Sequence, residues 1–86
     1  MYVIKCLTNN EWIEFYDPDW REAYPTGYAQ TTADIRRAMP FDTEKQAIEF
    51  YRSQSKLVPL RPDGLPNRPL TAMSVVVEKI KARHAA

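Results

Sequence analysis

Chemistry needs nucleophiles, titratable groups or soft ligands at set spacings, and this chain offers few of them. Its single cysteine, Cys6, and single histidine, His84, stand at opposite ends. Two such ligands do not make a zinc site, which takes three or four. As a nucleophile and its base they would need an exposed thiolate beside an imidazole. Cys6 instead falls on an apolar strand face and His84 in the terminal tail. Asp17 and Asp19 bracket Pro18, which fits a turn better than a cation site, and no glycine-bearing calcium loop follows. Gly27 and Gly64, the only glycines, lie in separate loops and form no phosphate cradle. The expectation is a protein that is not an enzyme and holds neither metal nor cofactor.

Binding chemistry remains, in two sets. The first mixes aromatics and acids: Trp12, Tyr16, Asp17, Asp19, Trp20, Glu22, Tyr24 and Tyr28. Aromatic anchors with a polar surround suit a protein interface. The second is basic: Arg36, Arg37, Arg52, Lys56, Arg61 and Arg68, a candidate phosphate track with Tyr51 or Tyr28 to stack a base. Charge is segregated along the chain. Residues 1–34 carry two basic and six acidic side chains, and residues 35–86 carry ten basic and five acidic. The whole is nevertheless close to neutral, at +1, and no nucleic-acid module pattern is present. Each set also has a plainer reading. Scattered arginines and lysines solvate a surface, and the loop aromatics supply a cover for one face of a hairpin.

That hairpin is the element which must position the first set. Residues 2–8 and 11–16 are extended runs flanking Asn9-Asn10, and asparagine tolerates the positive φ of a two-residue turn. The register this turn dictates puts Ile4, Cys6, Ile13 and Phe15 on one face. Val3, Lys5, Leu7, Trp12, Glu14 and Tyr16 take the other, with Lys5 opposite Glu14. Residues 17–30, punctuated by Pro18, Pro25 and Gly27, read as a long aromatic loop. Residues 31–41 are ambiguous between a short strand and a helical turn, closed by Pro40.

One amphipathic helix follows, from Glu44 to about Ser55. Thr43 is its N-cap, Gln46 completes a capping box, and Ala47, Ile48, Phe50 and Tyr51 form its apolar stripe. Residues 56–70 carry four prolines and read as a stiff strap anchored by Leu57, Val58, Leu60, Leu65 and Leu70. Residues 71–81 alternate as a strand, with Met73, Val75 and Val77 on one face, beside the first strand and under the helix; a helix over 73–83 is the competing reading.

The resulting class is α+β: a small antiparallel sheet, made of the N-terminal β-hairpin and a C-terminal strand, with one amphipathic helix packed on one face. Eighty-six residues make a single domain, 1–86, able to bury only about 60–65% of its unfolded surface. No run approaches the ~20 apolar residues of a membrane span, and the opening run is too short for a signal peptide. A lone inward cysteine fits a reducing cytoplasm.

Taken whole, the chain resembles small proteins of phage and prophage genomes. The resemblance rests on the Tyr2-Val3-Ile4-Lys5 start, the hairpin, the Ala38, Phe41, Thr43 segment, the helix with Ala47 and Tyr51, and the valine-rich closing strand. It implies a host-cytoplasmic accessory protein. Some such proteins, the anti-CRISPR proteins among them, inhibit host defence by binding a host protein or ribonucleoprotein complex. The aromatic and acidic set would be the contact surface. The alternatives are a nucleic-acid-binding accessory protein using the basic set, and a small enzyme or toxin–antitoxin component. A homodimer through the outer hairpin face would also cover its apolar residues.

Overall fold

The computed structural model describes residues 1–20 and 27–81. Among these residues it is a four-stranded antiparallel sheet with one α-helix, in the α+β class that the sequence pattern implies. In chain order the strands are β1 (Tyr2–Cys6), β2 (Glu11–Asp17), β3 (Tyr28–Thr32) and β4 (Val75–Lys79); α1 is Glu44–Tyr51. In space the order is β3-β2-β1-β4, so the hairpin is central and the chain's last strand flanks its first.

The hairpin closes differently from the two-residue turn. Cys6 pairs with Glu11 and Lys5 with Trp12, leaving Leu7 to Asn10 as a four-residue loop. Asn10 does take positive φ, at 58°, and its N–H bonds the Cys6 carbonyl. Asn9 spends its side-chain oxygen on the Glu11 N–H. The register moves by two residues, and strand side chains alternate with period two, so Ile4, Cys6 and Ile13 keep the core face.

Phe15 does not keep it. The β2–β3 ladder shifts between Ile13 and Phe15, a bulge centred on Glu14. An extra residue inverts the alternation beyond it. Tyr16 therefore turns inward, at 7% exposure, and Phe15 turns outward, at 37%. This reverses the expected placing of both residues. Val3, expected on the open face, is fully buried there. Past Lys5 and Trp12 the two hairpin strands part and admit the 39–41 segment. Met39 N–H bonds Ile13, and Phe41 and Tyr2 exchange both backbone bonds at 2.8 Å.

Residues 28–32, read as loop and ambiguous segment, form the edge strand β3. Thr32 Oγ1 then accepts from Asp34 N–H, and Asp34 caps a 3-10 turn at Ile35–Arg37. α1 is shorter than expected, but its start is as read: Thr43 Oγ1 accepts from Gln46 N–H, and Gln46 Oε1 accepts from Asp42 N–H. The helix buries Ala47 and lays Phe50 and Tyr51 on Ile4, Cys6, Ile13, Tyr16 and Leu70. Ile48 lies outside that stripe, 40% exposed. Val75 and Val77 of β4 complete the same core, as their alternation implied.

Candidate functional site

The face of the sheet opposite α1 carries the candidate surface. Phe15 reaches it through the Glu14 bulge. Tyr28 reaches it because Ala29, its neighbour in β3, packs against the core. Trp20 follows the tight turn after β2, in which Asp17 accepts from both Asp19 N–H and Trp20 N–H. Their rings touch. Trp20 and Tyr28 centroids are 5.4 Å apart, Phe15 and Trp20 5.9 Å in an edge-to-face arrangement, and Phe15 and Tyr28 6.1 Å. Each ring packs on the other two, yet each residue keeps 37–38% of its surface open. The reading of the loop aromatics as a buried cover does not hold for Trp20 and Tyr28.

Two devices fix the loop bearing Trp20. The first is the Asp19 carboxylate, which accepts from Ser55 Oγ at 2.7 Å, Lys56 N–H at 3.0 Å and Leu57 N–H at 3.1 Å. These donors hold its pKa below the usual aspartate value, the Leu57 amide most strongly and the Ser55 hydroxyl next. The second is Gly27, at φ +71°. A Cβ there would lie 2.8 Å from Pro18 Cα, so the two ends of the loop meet where only glycine fits.

The expected aromatic and acidic set divides. Trp20 and Tyr28 come together, and Phe15, assigned to the core face, joins them. Trp12 lies on the same sheet face without ring contact to the three. Its indole N–H donates to Glu78 Oε1 at 3.1 Å, and Lys5 Nζ sits 5.7 Å above its ring. Tyr16 leaves the set altogether. Its ring packs edge-to-face on Phe50, and its hydroxyl accepts from the buried Leu70 N–H. Burial is the main cause that pushes its pKa up. Asp17 and Asp19, both half-buried, spend carboxylate oxygens on donors of this chain: Asp19 N–H for Asp17, and Ser55, Lys56 and Leu57 for Asp19. Glu22 and Tyr24 lie outside the described residues. The signal for Phe15 was the Phe15-Tyr16 dipeptide itself: adjacent strand residues face opposite ways, so one of the two aromatics must look outward.

The basic set disperses. Arg36 is paired with Asp34, Arg37 with Glu14 at 2.8 Å, and Arg61 with Asp63. Arg52 caps α1, and Lys56 spends its backbone amide on Asp19. Arg61 and Arg68 do share a surface pocket of about 340 Å³, with Asn67, Pro69, Thr71 and Ala72. The strap that carries them folds back on itself through a Leu60–Pro66 bridge. Leu70 alone of its expected leucine anchors is buried; Leu57, Leu60 and Leu65 are 54–58% exposed.

Cys6 is fully buried, and burial first, then the Glu11 charge, push its thiol pKa up. A protonated buried thiol is a poor nucleophile. Among the described residues no group of three or more His, Cys, Asp or Glu side chains is placed to hold a metal ion. No helix among them is long and apolar enough to cross a membrane. Comparison of the chain with protein-family models, with curated proteins and with solved structures finds no match in any of the three.

Proposed function

We propose that this chain is a non-enzymatic binding protein whose working surface is the Phe15, Trp20 and Tyr28 trio. The carrying observation is that three large rings are gathered on one sheet face and left open, while α1 covers the other face. Contiguous exposed aromatics mark interaction surfaces, and Trp and Tyr are the residues that most often dominate binding energy. The partner class comes from the resemblance to small phage and prophage proteins: a host protein or ribonucleoprotein of a defence complex, CRISPR-Cas among them, inhibited in the host cytoplasm.

The test is phage plating on a host with an active defence system. Expression of the chain is expected to restore plaques. The double variant W20A/Y28A is expected to abolish restoration while leaving the circular dichroism spectrum and thermal midpoint near wild type. Full restoration by that variant contradicts the surface, and failure of the wild type against every defence class tried contradicts the function.

The pocket shared by Arg61 and Arg68 favours a second reading, a nucleic-acid-binding accessory protein. It requires DNA or RNA binding that weakens steeply with salt and that falls in R61Q/R68Q. No binding at low salt removes it.

A further inference from the structure

β4 is an outer strand of the sheet. In an antiparallel ladder alternate residues aim both backbone groups at the same neighbour. The bonds Leu7 N–H to Ser74 and Ile80 N–H to Met1, each 2.9 Å, fix that parity. Ser74, Val76, Glu78 and Ile80 turn their backbone groups to β1. Val75, Val77 and Lys79 turn theirs away from the sheet, and among the described residues no strand pairs with them. Strand edges are ordinarily blunted by proline, a bulge or charge. Here Val75-Val76-Val77 has none of these, and Lys79 guards one end only.

We propose that this edge pairs with the same edge of a second copy, antiparallel, about a twofold axis through Val77. The three outward residues are symmetric about that position. Val77 then meets its own copy and Val75 meets Lys79 of the other chain, so every free group of the strand is used in roughly six backbone hydrogen bonds. An axis through Glu78 would instead set that carboxylate against its copy. Axes through Val75 or Val76 would leave Lys79 paired beyond the strand. The chosen axis is perpendicular to the sheet, so both helices lie on one face of a continuous double sheet. Both aromatic trios lie on the other face, at the far β2–β3 ends, open to a partner. The pairing does not depend on what those trios bind.

This register makes position 76 decisive. Within one copy Val76 lies opposite Lys5. Across the axis it lies opposite Glu78 of the other chain, and it does so twice per dimer. Val76 is 43% exposed, so a polar substitution does not disturb the core. Sedimentation equilibrium of the full chain is expected to show a concentration-dependent dimer. V76K is expected to tighten it about tenfold and V76E to weaken it about as much, from two cross-strand charge contacts. Fold stability should move the opposite way, because Lys5 repels lysine and attracts glutamate at that place. Amide exchange at 75, 77 and 79 should slow as concentration rises, while 74, 76 and 78 stay unchanged. A wild type that remains monomeric up to millimolar concentration overturns the proposal. A dimer whose affinity ignores both charge substitutions overturns it equally.

Discussion

Two aromatic clusters lie on opposite sides of β2, and neighbouring residues feed them. On the inner side Phe50 of α1 packs between Tyr16 and Phe41, with centroids 5.8 and 5.2 Å apart. On the outer side Phe15, Trp20 and Tyr28 pack at 5.4 to 6.1 Å, each residue 37–38% exposed, with no helix or strand among the described residues laid over them. The ring geometry is nearly the same, and the difference is cover. The inner rings gain their free energy from folding. The outer rings have gained only part of theirs, and association with a partner would supply the remainder. The Glu14 bulge decides which ring goes where.

The comparison breaks most sharply at Tyr16. Tyr16→Ala removes a buried ring and leaves the Leu70 N–H without its acceptor, and is expected to cost about 3–5 kcal/mol in urea unfolding. Phe15→Ala, one residue away, removes a ring that is 37% exposed and is expected to cost about 1–2 kcal/mol while weakening partner binding. Equal costs would mean that the bulge does not separate them. Gly27→Ala comes next, at about 1–3 kcal/mol, because the new Cβ meets the Pro18 backbone at a strained φ. Its damage should concentrate on the outer cluster, read as loss of the near-ultraviolet signal of Trp20.

The smallest effect is at Asp19. Its folded pKa is depressed, so its contribution is fully present above the unfolded value, about 3.9, and is lost as pH falls through the lower folded one. Asp19→Ala should deprotect the Lys56 and Leu57 amides at neutral pH. It should also abolish the loosening of residues 17–20 that acid is expected to cause in the wild type as Asp19 protonates. Unchanged protection would mean that the carboxylate does not hold the loop.

Much of the inner side was legible in the sequence. Ile4, Cys6 and Ile13 share a face under any even shift of register, so the core face is the same for a two-residue turn and for the four-residue loop. Thr43 and Gln46 announced α1 by their own chemistry, and the alternation of Val75 and Val77 placed β4. The outer side was legible only in Trp12, Trp20 and Tyr28; Phe15 and the strand that carries Tyr28 were hidden, for a physical reason. A bulge leaves no trace in a binary pattern, since Glu14 is polar and the residues after it are aromatic whichever way they face. Residues 28–32 are polar on one edge and lack the apolar density that marks a strand. Asp19 looked like part of an acidic patch, because its three donors come from the distant segment 55–57. The strap leucines looked like anchors, but a hairpin folded on itself leaves Leu57, Leu60 and Leu65 in solvent.

The inversion at Glu14 is what makes an open aromatic surface out of this strand, and ring-to-ring nuclear Overhauser contacts test it directly. Cross-peaks from the Tyr16 ring to the Phe50 ring and the Leu70 amide, with Phe15 connected only to Trp20 and Tyr28, are the expected result. A Phe15-to-Phe50 contact, with Tyr16 facing solvent, would contradict it.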